Sequence, residues 1–211
     1  LSILTGGAGN NNYWHWMYDV LPRIAIVKIK YNIGKIDNFI VPDIKYDFQI
    51  QTLKLLNIYD KSLPSIKFRH LETDRLIGTT HPWQFTKSAH QDINNIPKWI
   101  TLWIRDTFLK KKKFYNHKYE KIYINRSDSS SNLFNKRNIK NEFEIQSYLK
   151  KIGFKILNLS EFKIEKQIRI FNSAKIIIGN HGAGFTNIVY CKKNTTIIEF
   201  ITGYTSKPFK K

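Results

Sequence analysis

The sequence predicts an α/β protein with a doubly wound parallel sheet in its second half, and three observations carry this prediction. In the second half of the chain, short β-branched and aromatic runs alternate with amphipathic helical segments. The segment KIIIG, residues 175–179, is typical of a parallel strand covered on both faces. The links between segments are short, as in a doubly wound sheet with right-handed crossovers.

The second half gives the clearest elements. Strands are predicted at residues 121–127, 154–159, 175–179 and 195–201. A helix is predicted at residues 141–153, ending at Gly153, and another at residues 160–174, with Ser160 as a candidate N-cap. A short helix is expected from about Ala183 to Asn187.

The first half is less regular. Strands are expected at residues 2–6 and 38–42, with one or two more at residues 67–81. Helices are expected within residues 12–29, bent or ended at Pro22, and at residues 48–59 and 96–110, the last with Trp99, Leu102 and Trp103 on one face. The basic segment near residue 115 divides an N-terminal domain (1–115) from a C-terminal domain (116–211). A ligand cleft is expected between them.

Composition narrows the class of protein. The 211 residues are 42% hydrophobic, enough for a real core. No signal peptide is visible, and the apolar runs fall far short of the ~20 residues that span a bilayer. The single cysteine, Cys191, forms no internal disulfide and fits a reducing compartment. We expect a cytoplasmic or membrane-peripheral protein that is a piece of a longer chain.

The net charge of +19 permits three partners: nucleic acid, an anionic membrane surface, or phosphorylated small molecules. Lysine is spread along the chain together with Asn and Ile, so much of the charge is compositional background. Residues 109–114 (LKKKKF) and 207–211 (KPFKK) are the local clusters. Background charge that aids solubility is the favoured interpretation, attraction to an anionic membrane surface comes second, and no specific nucleic acid is expected.

The stretch IIIGNHGAGFTN, residues 176–187, follows the apolar strand and precedes the short helix. Ligands of open α/β sheets bind at such strand ends, and a helix N-terminus favours an anion such as a diphosphate. The order G-x-x-G-x-G is not the dinucleotide fingerprint. The glycines alone suit a plain turn equally well, and His181 favours the phosphate site.

Other polar residues are predicted at the same sheet edge. Glu199 closes the next strand and can accept hydrogen bonds from a ribose. Arg126 ends the strand that begins at residue 121, and Arg137 follows a polar loop. Two guanidinium groups beside a glycine turn favour a phosphate site.

In the first half, His15 and Asp19 lie four residues apart, on one helix face, among Trp and Tyr residues. Aromatic rings with a few polar groups suit a sugar, and either residue can serve as a general base on a hydroxyl. A structural His–Asp pair in an aromatic core explains the spacing equally well. No third metal ligand is suggested, and no Asp-x-Asp pair occurs.

Taken together, NYWHWMYDVLPR, the arginine after IYIN, the pattern EKQIRIFNSA, HGAGFTN and the final glutamate resemble glycosyltransferase family 61. The resemblance runs from about Asn12 to Phe200. It implies a GT-B architecture of two Rossmann-like domains, with a first domain that is short compared with larger members. It places Arg126, His181, Gly182, Ala183, Gly184, Asn187 and Glu199 on the donor side, with Arg137 expected nearby, and His15 and Asp19 on the catalytic side.

The implied activity is transfer of a sugar from a nucleoside diphosphate, with UDP expected, to a hydroxyl of a glycan or other acceptor. The resemblance implies inversion at the anomeric carbon without an obligatory metal or cofactor. Capsule or lipopolysaccharide synthesis is an expected setting. A basic nucleic-acid-binding module and a non-catalytic glycan-binding relative are the alternatives.

Overall fold

A computed structural model describes residues 1–5, 11–83, 95–109, 117–126 and 139–201, and the chain divides into two compact units. The first unit is Leu1–Lys110 and the second is Lys111–Lys211. Both contain helices and parallel strands, which confirms the α/β class. The GT-B arrangement and the functional division at residue 115 stay predictions.

The first helical stretch of the first unit contains a π-helical segment and is not one continuous α-helix. The helices of this unit are α1 (Tyr13–His15), the π-helical segment Trp16–Val20, α2 (Arg23–Lys28), α3 (Asp47–Leu55) and α4 (Lys98–Leu109). Asn12 caps α1, since its side-chain oxygen accepts from the amide of Trp14 at 2.8 Å. Pro22 separates the π-segment from α2, as predicted.

Two short strands, β1 (Phe39–Val41) and β2 (Ser62–Pro64), pair in parallel in the first unit. The strand predicted at residues 2–6 is wrong in extent, because Ser2 makes a single bridge to Ile40. The strands predicted at residues 67–81 are also wrong. The pairing partner of β1 is the earlier run at Ser62–Pro64.

The buried face of α4 differs from the predicted one. The helix buries Ile100, Ile104 and Phe108, which recur every four residues on one face. Trp99 and Leu102 are 38% and 48% exposed. The prediction placed Trp99, Leu102 and Trp103 on one face, but Ile100, Ile104 and Phe108 are the residues that fill the core.

The second unit is built on a parallel sheet whose described strands have the order β4-β3-β5-β6. These are β3 (Lys121–Asn125), β4 (Lys155–Asn158), β5 (Ile176–Asn180) and β6 (Thr196–Phe200). Helices α5 (Glu142–Lys151) and α6 (Ile164–Ser173) connect them, and a 3-10 helix, Ala183–Tyr190, follows β5. The order in which strands are added changes direction between β3 and β5, because β4 lies on one side of β3 and β5 on the other. Ligands bind at such switch points in open α/β sheets.

Two details of the second unit correct the sequence reading. Ser160 is not the cap of α6, because it lies in the 3-10 turn Leu159–Glu161 and α6 begins only at Ile164. On α5, Leu149 is the buried side chain, whereas Phe143 is 82% exposed. Gly153 ends the α5 region with φ 89°, as its position predicted.

No helix in the described ranges is long and apolar enough to cross a membrane.

Candidate functional site

Two polar clusters hold the predicted site residues, one in each unit. In the first unit, the π-helical segment places His15 and Asp19 on one face, and His15 Nδ1 lies 2.6 Å from Asp19 Oδ2. The other oxygen, Asp19 Oδ1, accepts from the indole N–H of Trp83 at 2.8 Å. The carboxylate is therefore held on both sides, and its side chain is only 7% exposed.

His81 is a further member of this cluster. Its Nε2 lies 3.8 Å from Asp19 Oδ1, and its Nδ1 donates to the carbonyl oxygen of Trp83 at 2.7 Å. Two imidazoles and one indole thus surround a single buried carboxylate. We call His15, Asp19, His81 and Trp83 the Asp19 cluster.

Arg23 supports the Asp19 cluster from the next helix. Its Nε donates to the main-chain oxygen of Asp19 at 3.0 Å, and its Nη1 donates to the carbonyl of Thr79 at 3.2 Å. Burial lowers the pKa of Arg23, and the negative charge of Asp19 partly offsets that effect. The guanidinium joins the helical segment to the loop that carries Thr79 and His81.

The hydrogen bonds of His15 show which of its ring nitrogens can accept a proton. A carboxylate only accepts, so the proton shared with Asp19 belongs to His15 Nδ1. Nε2 of the neutral ring then carries the lone pair, and the side chain is 33% exposed. The arrangement can accept a proton at Nε2 while Asp19 orients the ring and stabilises the imidazolium.

Aromatic rings line the same cluster. Trp14 stacks on Tyr18 with ring centroids 5.1 Å apart and meets Trp83 edge-on at 6.3 Å. Burial raises the pKa of Tyr18, whose hydroxyl is hydrogen-bonded to Thr101 of α4. Rings beside a proton acceptor can hold the C–H face of a sugar or another apolar surface.

In the second unit, the predicted residues meet at the carboxyl ends of β3, β5 and β6. Arg126 Nη1 donates to the carbonyl oxygen of His181. His181 Nδ1 lies 2.8 Å from Glu199 Oε1, and the two side chains are 31% and 29% exposed. The sheet therefore brings together Arg126, His181 and Glu199, which are far apart in sequence. We call these three residues with Gly182 the Arg126 cluster.

Close packing explains the two glycines of the turn. A Cβ on Gly182 would lie 2.7 Å from Arg126 Cζ, so the guanidinium rests directly on the glycine backbone. A Cβ on Gly184 would lie 2.9 Å from Leu159 Cδ1. Gly182 has φ 168°, which any residue adopts, so a side chain there would conflict only with the present position of the Arg126 guanidinium.

Asn187 differs from the other predicted donor residues, because its side chain is fully buried. Its Nδ2 donates to Gln167 Oε1 at 2.8 Å, and Gln167 Nε2 donates to the carbonyls of Leu159 and Phe162. This geometry gives Asn187 a structural role in fixing the turn on α6. Ala183 begins the 3-10 helix, and Arg137 lies outside the described residues.

Sequence reasoning missed His81 and Trp83. Trp83 meets Asp19 across 64 positions of the chain, and no spacing rule links them. The available signal was the pair of a histidine and a tryptophan around Pro82, the same residue types as in the 12–19 segment. Among the described residues, no group of three His, Cys, Asp or Glu side chains is arranged to hold a metal ion.

The protein is of the α/β class. One unit contains a histidine oriented by a buried carboxylate, and the other contains a glycine turn with an arginine beside it. The Glycosyltransferase 61 family model matches residues 13–198, and the chain belongs to this family. This membership confirms the family resemblance found in the sequence.

The chain is similar to a beta-1,2-xylosyltransferase of Arabidopsis thaliana, with 40% identity over 62 residues. The matched segment covers 28% of this chain and only 12% of that relative.

Proposed function

We propose that this chain transfers a sugar from a nucleoside diphosphate, with UDP expected, to a hydroxyl of a glycan or other acceptor, with inversion at the anomeric carbon. The observation that carries the proposal is the His15–Asp19 contact of 2.6 Å, in which a buried carboxylate orients a partly exposed imidazole. Family membership supports the reaction class.

In this proposal, His15 Nε2 is the general base. The acceptor oxygen attacks the anomeric carbon, the bond from that carbon to the diphosphate oxygen breaks, and the acceptor proton passes to Nε2. The leaving diphosphate keeps the electron pair. General-base catalysis contributes about 10²–10⁴-fold, and Asp19 acts by holding the ring.

The Arg126 cluster is the proposed donor side. The Arg126 guanidinium supplies fixed positive charge and hydrogen-bond donors for the diphosphate. Because His181 Nδ1 is engaged with Glu199 at 2.8 Å, only the protonated ring can also donate through Nε2. We also propose that the transfer needs no obligatory metal and that the two units form a GT-B arrangement. The proposed acceptor is destined for a cell-surface polysaccharide.

Thermal unfolding with nucleotides tests the donor side. We expect UDP, or another nucleoside diphosphate, to raise the Tm of the wild-type chain, because a ligand that binds only the folded state stabilises it. Arg126→Ala should lose this shift, and the exposed control Arg69→Ala should keep it. A flat response to every nucleoside diphosphate would refute the donor site.

The same measurement separates the alternatives. A non-catalytic glycan-binding relative would show a shift with glycans and none with nucleotides. A basic nucleic-acid-binding module would bind oligonucleotides in a salt-sensitive manner and ignore nucleoside diphosphates.

A further inference from the structure

The second unit has a strongly basic edge that the proposed reaction does not use. Its strands are parallel, so their amino ends lie together, at the edge opposite Arg126 and His181. Helix α5 returns to that edge and ends there at Lys151. We call this surface the amino edge. Its exposed lysines are Lys118, Lys121, Lys150, Lys151, Lys155, Lys175, Lys192 and Lys193.

Hydrogen bonds show that the segments carrying these lysines lie side by side. Lys121 Nζ donates to the carbonyl oxygen of Ile152 at 3.3 Å, beside the end of α5. The amide of Lys175 donates to the carbonyl of Glu120 at 2.7 Å, and the carbonyl of Lys175 accepts from the amide of Thr196 at 2.8 Å. The lysines before β3, β5 and β6 are therefore neighbours in space as well as in topology.

Most described acidic residues of this unit lie away from the amino-edge lysines, and Lys140, Lys163 and Lys166 lie beside them near the starts of α5 and α6. In its described residues, Glu120 is the one acid at the amino edge, where it pairs with Lys175 at 3.1 Å. The other described acids lie at strand carboxyl ends or at the starts of helices on the opposite side: Glu142, Glu144, Glu161, Glu165 and Glu199. The amino edge therefore carries eight exposed lysines against one described acid.

We propose that the amino edge docks this chain on an anionic lipid surface. The basic side chains described there are all lysines, whose compact charges suit a diffuse layer of headgroups. A nucleic-acid surface favours arginine and exposed aromatic rings for stacking. Ile152 and Ile197, which are 42% and 40% exposed, add apolar side chains near the lysines that can enter the interfacial region.

Flotation with lipid vesicles tests this docking independently of the transferase activity. The full chain should bind vesicles of phosphatidylcholine mixed with phosphatidylglycerol, ignore phosphatidylcholine alone, and dissociate at high salt. The quadruple variant Lys121→Gln, Lys150→Gln, Lys151→Gln and Lys155→Gln should partition at least about 50-fold more weakly, since each lysine contributes about fivefold near such a surface.

A matched control removes the same charge from the first unit. The variant Lys28→Gln, Lys30→Gln, Lys35→Gln and Lys67→Gln alters four exposed lysines and should keep most of the binding. Equal losses in both variants would show that net charge alone acts and would overturn the proposal. So would an absence of vesicle binding, or binding of an oligonucleotide in place of vesicles through the same lysines. Circular dichroism confirms that each variant is folded.

Discussion

Asp19 uses both of its carboxylate oxygens, and this favours His15 over Asp19 as the side chain that takes a proton. Oδ2 lies 2.6 Å from His15 and Oδ1 accepts from Trp83 at 2.8 Å. The sequence spacing left the choice between the two residues open. The fold supports His15 as the base, because Asp19 is buried and its oxygens have partners.

Replacing His15 by glutamine tests this assignment. We expect His15→Gln to lower kcat by about 10²–10⁴-fold with a small change in KM for the donor, because the base acts on the acceptor hydroxyl. Tm should change little, since the side chain is one-third exposed. Steady-state kinetics with the exposed control His70→Gln provides the comparison. Unchanged kcat in His15→Gln would assign the base elsewhere.

Gly182 supports the guanidinium of Arg126, and a methyl group there has a defined consequence. In Gly182→Ala the new Cβ would fall 2.7 Å from Arg126 Cζ, so the flexible guanidinium must move. We expect about tenfold or more loss of donor affinity, with stability reduced by about 1 kcal/mol. Titration calorimetry with a nucleoside diphosphate measures the donor affinity, and chemical denaturation measures the stability.

Gly78→Ala is the control for this change, because a Cβ at Gly78 has no atom within 4 Å. It should leave affinity and stability as they are. Full donor affinity in Gly182→Ala would mean that the position of Arg126 over the turn is unimportant.

At the scale of elements, the 3-10 helix Ala183–Tyr190 is fixed to α6 by one buried polar contact. Asn187 Nδ2 donates to Gln167 Oε1 at 2.8 Å, with both residues buried. This bond fixes the turn that carries His181 and Gly182. Asn187 acts in this arrangement as a positioning residue.

Truncating Asn187 should therefore affect stability first. We expect Asn187→Ala to cost about 1–3 kcal/mol, because it leaves the buried oxygen of Gln167 without its donor. Chemical denaturation measures the loss, and Asn141→Ala at the exposed start of α5 is the control. Normal stability combined with lost nucleotide binding would favour the direct donor contact predicted from the family resemblance.

The sequence predicts elements well where one pattern dominates. The three isoleucines of β5 and the stop at Gly153 were recognisable because burial on both faces and a positive φ leave local signals. The core face of α4 was not, because Trp99 and Leu102 compete with the isoleucine stripe and only packing decides between them.

At the scale of the whole molecule, topology decides which distant residues meet. Parallel strands predicted that Arg126, His181 and Glu199 share a sheet edge, and the structure brings them together. His81 and Trp83 reach Asp19 without any periodic pattern, so their part in the cluster could not be predicted from the sequence.

The same topology separates charge across the second unit. Strand carboxyl ends carry the Arg126 cluster and most described acids, whereas the amino edge carries lysines. In the sequence the lysines are spread from end to end, and the fold brings eight of them to the amino edge.

The most direct test of the central claim is release of nucleoside diphosphate from a panel of nucleotide-sugars, with and without hydroxyl acceptors. We predict that the wild-type chain releases the diphosphate from at least one donor, and that His15→Gln and Arg126→Ala each slow this release by about 10²-fold or more. Release from no donor above the enzyme-free rate, or release by both variants at the wild-type rate, would contradict the claim.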